Sequence, residues 1–362
     1  MADANHKRQI DHMNPSALRS LPISYNALVL ERTSRCTAQC GMCYQSAGPK
    51  GSAVMGDAEL ALDDILSAIS QAAAILSVGS RCHLAGGEAF IDTAQCLKIF
   101  AHARDMGFED ITTTTNAYWA QNRGRASRVC RDARRAGLLR MEISWDYWHS
   151  PYVSGTAIGN CLEACAEYGI KTNLRILATK THSAQEALSQ VGRDALSRCD
   201  LIMSGPVFPT GRADSSIPKD EIFFTGNLGN TCHSVLNLTI NPTGRVYPCC
   251  AGADQTEALA FGNIKSDRLQ AIVDRMSRSL LLRVLVFGGP GALLAILEEQ
   301  GVDLSGPHAN ICHMCWEIFS NPRNMAILNA HMERLKKDSF GSLVFSATEY
   351  LCTKEQIEES VA

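Results

Sequence analysis

The chain lacks a basic excess. Its 34 Lys and Arg stand against 37 Asp and Glu, a formal net charge of −3. Nucleic-acid binders usually carry a surplus of positive charge, so a polyanion-binding surface is excluded as its main business. Charged residues make up 20% and aromatics 6%, but hydrophobic residues reach 46%, which excludes wholesale disorder. The first twenty residues, MADANHKRQIDHMNPSALRS, hold no apolar stretch long enough for a signal peptide. The one candidate membrane segment, Leu280 to Ile296, is broken by Arg283 and by Gly288-Gly289-Pro290-Gly291. A spanning helix needs roughly 20 uninterrupted apolar residues, so this segment reads as two short buried helices around a turn. Neither nucleic acid nor a membrane is expected as a partner, and a cytoplasmic location is expected.

Cysteine is what the chain has in quantity: 15 in 362 residues. Without export, these are not expected to form a disulfide framework. Clustered cysteines in such a chain point to metal or redox chemistry instead.

Strand-like runs alternate with helical patterns over the first two thirds of the chain. The strands expected are Asn26–Leu30, Cys82–Ala85, Asp110–Thr115, Met141–Ser144, Thr172–Ala178 and Leu201–Ser204. Helical patterns fall between them, over Asp57–Ser77, Asp92–Met106, Arg123–Ala136, Val153–Tyr168 and Ser183–Ser197. Six strands in series separated by helices imply an α/β fold with a parallel sheet, open or a partial barrel, whose chemistry sits at the C-terminal strand ends. The alternation stops near residue 215, where a domain boundary is expected.

Directly after the first strand comes Cys36-Thr-Ala-Gln-Cys40-Gly-Met-Cys43. Three thiolates in one loop can hold three irons of a 4Fe–4S cube and leave the fourth open to a ligand. Structural zinc is the alternative, but three cysteines without a fourth ligand nearby make a poor closed tetrahedron. At the end of the second strand stands Gly86-Gly87-Glu88, where glycines let the backbone approach a ligand closely.

The Cys-x3-Cys-x2-Cys loop and the glycine pair one βα unit later resemble the radical S-adenosylmethionine (SAM) superfamily over roughly residues 22–215. The resemblance implies a partial (β/α)6 barrel with Cys36, Cys40 and Cys43 holding the SAM-binding cluster. It implies that Gly86, Gly87 and Glu88 receive the SAM amine, that the Met42 backbone meets adenine, and that Asn116, Ser144 and Asp146 lie near the ribose or substrate. Arg175 would pair with the SAM carboxylate or be an ordinary salt-bridged strand residue. Pro209-Thr-Gly211-Arg212-Ala also looks like a segment common in this superfamily. Tyr147 and His149 are candidates for the substrate pocket, although a lone histidine there is more often structural.

Beyond residue 215, Cys232, Gly244 and Cys249 resemble the opening of the SPASM domain, with Gly262-Asn263-Ile264 following as it does there. Cys312-His-Met-Cys315 supplies a Cys-x2-Cys pair, but the further cysteines of the full pattern are missing, as in the shorter twitch form. The resemblance implies an auxiliary 4Fe–4S cluster on Cys232, Cys249, Cys312 and Cys315, with a four-cysteine zinc site as the alternative. Cys250 is an alternative to Cys249, and Cys352 an outlying spare. Cys161 and Cys165 share a helix face and read as buried apolar residues.

The divisions expected are an N-terminal extension (1–21), a radical SAM core (22–215), an auxiliary-cluster domain (216–320) and a C-terminal helical extension (321–362). The resemblance implies reductive SAM cleavage, hydrogen abstraction from an unactivated carbon, and an auxiliary cluster that accepts an electron. Expected partners are a peptide or a small-molecule substrate and an electron donor such as flavodoxin or ferredoxin. Only 35 residues precede Cys36, fewer than a leader-recognition domain takes, which counts against a peptide unless a separate leader-peptide recognition protein or a pocket serves instead. Peptide maturation is the leading expectation. The rivals are oxidation or rearrangement of a metabolite and a non-catalytic iron–sulfur or zinc protein.

Overall fold

The computed structural model describes residues 21–224, 232, 236–249, 256–304 and 306–337; Cys250 and Cys352 lie outside them. Eight strands form one sheet in the order β6-β5-β4-β3-β2-β1-β7-β8. The first six are β1 (Tyr25–Glu31), β2 (Val78–Ala85), β3 (Asp110–Thr115), β4 (Arg140–Ser144), β5 (Lys171–Ala178) and β6 (Leu201–Pro206). Each pairs in parallel with the next. Parallel strands need crossovers, and four longer helices supply them: α1 (Leu62–Ala73), α2 (Thr93–Asp105), α3 (Arg123–Ala136) and α4 (Gly155–Glu167). β1 is buried at six of its seven residues, as expected of a strand covered on both faces.

The helices owe their bounds to local chemistry. Asn122 caps α3 by accepting the Arg125 N–H, and Gly137 ends it at φ 119°, a left-handed conformation that favours glycine. Ser154 caps α4 through the Ala157 N–H. Their inner faces bring Cys130, Cys161 and Cys165 together against the Met141 thioether, with Cys130 Sγ 3.6 Å from Cys165 Sγ. All three cysteines are fully buried in the core and fill it as small apolar groups.

One expectation is corrected. Residues 183–197 form not one helix but two short ones, α5 (Ala184–Ser189) and α6 (Arg193–Leu196), parted at Gly192 with φ 92°. Beyond the six strands the sheet gains two more. After the short α7 (Ala213–Ser216), β7 (Asn237–Ile240) adds in parallel to the outer edge of β1, and β8 (Val246–Tyr247) pairs antiparallel to it. The second region therefore continues the first sheet past β1.

α8 (Leu269–Arg278) and α9 (Leu280–Glu298) follow. α9 is kinked at Gly289, φ 74°, next to Pro290, in agreement with two apolar pieces around a turn. It is long and apolar enough to cross a membrane, but 67% of that window is buried inside the protein. Arg283 lies buried in this apolar helix because its guanidinium donates to the carbonyls of Ser277 and Leu21, at 2.7 Å each. α10 (Ile311–Ser320) carries Cys312 and Cys315, and a last helix runs over 322–337.

Candidate active site

The C-terminal ends of the strands surround a cavity of about 400 Å³. Val29, His83, Thr114, Glu142 and Arg175, from five successive strands, all line it, so the sheet curls around it. Cys36, Cys40, Met42 and Cys43 form one wall. Gly86, Gly87, Asn116, Ser144 and Asp146 line it from the ends of β2, β3 and β4. From the far end of the chain, Asn310 and Cys312 face the same space.

The cysteine loop is prepared for anionic sulfur. The Cys36 sulfur accepts the Ala38 N–H at 3.4 Å and the Asn116 amide at 3.7 Å, and the Ala47 and Gln45 N–H groups serve Cys43. Burial pushes both free thiols up, and Glu88 adds to the rise at Cys36. A bound metal would supply the charge that makes them thiolates. Three soft sulfurs fed by N–H donors in one wall fit an iron–sulfur cluster with an open iron.

The glycine pair is there for close approach. A Cβ on Gly87 would stand 2.2 Å from the Arg35 carbonyl oxygen, and one on Gly86, with φ 131°, 2.7 Å from that of Thr33. The strand end is thus packed against the backbone that leads into the cysteine loop. Glu88 does not line the cavity: it is buried, and its carboxylate accepts the Phe90 N–H, the Thr115 hydroxyl and the Asn116 N–H at 2.8–2.9 Å. Glu88 thereby ties the end of β2 to the end of β3.

Asp146 is also committed within the fold. Its carboxylate accepts the His149 ring at 2.8 Å and the N–H groups of Trp148, His149 and Leu177. Burial of His149 opposes its charge, but Asp146 and the Cys40 sulfur outweigh it and hold the imidazole well above its ordinary range. Of the two readings the sequence allows for His149, pocket or structural, the fold sets it in the cavity wall beside Cys40. Tyr147 stacks on His182, with ring centroids 3.4 Å apart, and is not among the lining residues.

Arg175 is half-exposed and lies 3.9 Å from Glu142, a loose pair. His83 bonds to the Thr112 and Thr114 hydroxyls at 2.7 and 3.1 Å; burial, then Arg81, push it down to about 4. His83 and Glu142 were missed because alternation marks a strand face but not which face turns toward a ligand.

Cys232, Cys312 and Cys315 form a second group. Burial pushes the Cys312 thiol up to about 11, with Cys232 adding to the rise and Arg175 opposing it. Cys315 is pushed up by burial and then by Cys312 and Cys232. Cys249 is buried just after β8.

Residues 232–316 match the SPASM family, an iron–sulfur cluster-binding domain. The match spans all four cysteines expected for the auxiliary site. A His6-tagged anSMEcpe structure with bound AdoMet is similar at 10% identity, with a TM-score of 0.50 over 88% of this chain and 96% of that one. The chain shares its fold with this AdoMet-bound protein and carries, within it, a region that matches the SPASM iron–sulfur domain. A Bacillus subtilis (strain 168) protein named for peptide biosynthesis, YydG, is 23% identical over 325 residues, 87% of this chain and 99% of that protein. In this fold the cysteine loop after β1 and Cys312, inside the SPASM match, look into one cavity.

Proposed function

We propose that this chain is a radical SAM enzyme that matures a ribosomally made peptide by attacking an unactivated C–H bond. The observation that carries the reading is the shared cavity: the Cys36/Cys40/Cys43 wall, the glycine pair and SPASM Cys312 border the same space. The relation to a protein named for peptide biosynthesis over nearly its whole length supports a peptide as substrate.

When bound, the cluster and SAM supply a deoxyadenosyl radical able to take a hydrogen from carbon. The chain's own residues bind and orient. Gly86 and Gly87 line the cavity while the Glu88 carboxylate is taken up by Phe90, Thr115 and Asn116, so the SAM amine is assigned to the glycine main chain and not to the Glu88 side chain. Met42, Asn116 and Ser144 line the space assigned to adenosine. Arg175 lines the same cavity within electrostatic reach of Cys312, and its 3.9 Å pairing with Glu142 is loose, so it is assigned a carboxylate of SAM. Leu177 and Phe208 add apolar surface that helps to exclude water. The SPASM cysteines are assigned an auxiliary cluster that accepts the electron left on the product, with flavodoxin or ferredoxin as the external donor.

The test is anaerobic incubation of reconstituted protein with SAM and dithionite. The reading requires 5′-deoxyadenosine, lost when Cys36, Cys40 and Cys43 are all changed to Ala. Reconstituted protein that neither binds SAM nor yields 5′-deoxyadenosine would place it among non-catalytic iron–sulfur proteins.

A further inference from the structure

The segment after β6 holds the backbone of the cysteine loop by its carbonyls. Arg212 donates from Nη1 to the Cys40 carbonyl at 2.7 Å, and from Nη2 to those of Ser46 and Ala47 at 2.6 and 2.7 Å. Its own N–H donates to the Cys43 carbonyl at 3.1 Å, and the Ser216 hydroxyl donates to that of Gly41 at 2.6 Å. Gly211 makes the approach possible: at φ 60°, a Cβ there would stand 2.0 Å from the Tyr44 carbonyl oxygen. Five carbonyls of one loop are thus tied to residues about 170 positions later.

We infer that Arg212 is the positioning residue of the SAM-binding cluster, a clasp that sets the cysteine loop before iron arrives. The inference rests on the proposal that Cys36, Cys40 and Cys43 hold that cluster. A carbonyl oxygen is the negative end of its dipole and is unfavourable beside an anionic, thiolate-ligated cluster. Drawing these oxygens to a guanidinium satisfies them there and leaves the sulfurs to face the cavity. The planar fork of arginine suits several acceptors at once and stays charged. That charge also reaches Cys43. β6 and β1 stand at opposite sides of the six-strand arc, so the clasp also joins the two sides of its mouth.

The test uses the full chain with Arg212→Ala, Arg212→Lys and Arg212→Gln. Hydrogen exchange on metal-free protein is expected to quicken at the Cys43 and Ser46 amides by about tenfold or more in the alanine variant. Iron at the SAM site should fall by half or more, while the auxiliary iron stays. Lysine keeps the charge but loses the fork, so it should show intermediate exchange and a wild-type potential in the molecules that load. Glutamine removes the charge, and the reduced fraction of the SAM-site cluster at a fixed poise should drop about tenfold, which is 59 mV for one electron. Wild-type exchange and full loading in the alanine variant would overturn the clasp. Should that variant fail to fold, wild-type exchange in the lysine variant overturns it equally. If wild-type protein holds no cluster on these cysteines but exchange still quickens without Arg212, the cluster reading fails and the clasp stands.

Discussion

A carboxylate that already accepts three hydrogen bonds inside the protein has a structural task. Glu88 links the 3-10 turn after β2 to the end of β3. Glu88→Gln replaces one acceptor oxygen with an NH2 that must face a donor. The loss should be on the order of 1.5–3 kcal/mol, read from urea melts of the metal-free protein. An unchanged midpoint would show that these bonds are not worth their distances. Gly87→Ala tests the neighbouring constraint, since the new Cβ would meet backbone and not a flexible side chain. A cost on the order of 1–3 kcal/mol is expected from such overpacking, with SAM-site iron lost in parallel; full stability and loading would contradict the close approach. The motif itself was legible in the sequence, but the division of labour within it was not. A one-dimensional pattern cannot say whether the glycine backbone or the Glu88 side chain faces the ligand. Arg212 was legible only as a familiar segment, because its partners lie about 170 residues earlier in the chain.

At the scale of elements, β2 and β3 carry a pH dependence. His83, between the two threonine hydroxyls, is pushed down to about 4 by burial. A histidine kept neutral in the fold is protonated more readily in the unfolded chain. Stability should therefore fall as pH drops from about 6.5 to about 4 and level off below. The span of that fall is up to about 3 kcal/mol. Urea melts at several pH values on metal-free protein should show this limb, and His83→Asn should flatten it; the same limb in both proteins would contradict the assignment. Six strands and the kink in α9 were readable because β-branched and apolar runs alternate with helical periodicity, and because glycine and proline mark the break. Two features were not readable. Gly192 splits the run 183–197 because it takes φ 92°, which residue type permits but does not require. The addition of β7 to β1 depends on an open sheet edge, a tertiary fact.

At the scale of the whole molecule, the cysteine loop after β1 and Cys312, from a distant part of the chain, border one cavity. Anaerobically reconstituted protein should carry about eight irons per chain, and about four after Cys36, Cys40 and Cys43 are changed together to Ala. Stoichiometric zinc with about four irons would mean that the SPASM cysteines hold a structural metal. A Cys312→Ala/Cys315→Ala variant that remains folded by circular dichroism should still make 5′-deoxyadenosine while yielding little oxidised product. Product at the wild-type rate would send the electron by another path. The most direct single measurement is Mössbauer spectroscopy of 57Fe-reconstituted protein with and without SAM. The account predicts two 4Fe–4S clusters, with one iron of only the Cys36/Cys40/Cys43 cluster changing when SAM binds. A single cluster, or two clusters both indifferent to SAM, would contradict it.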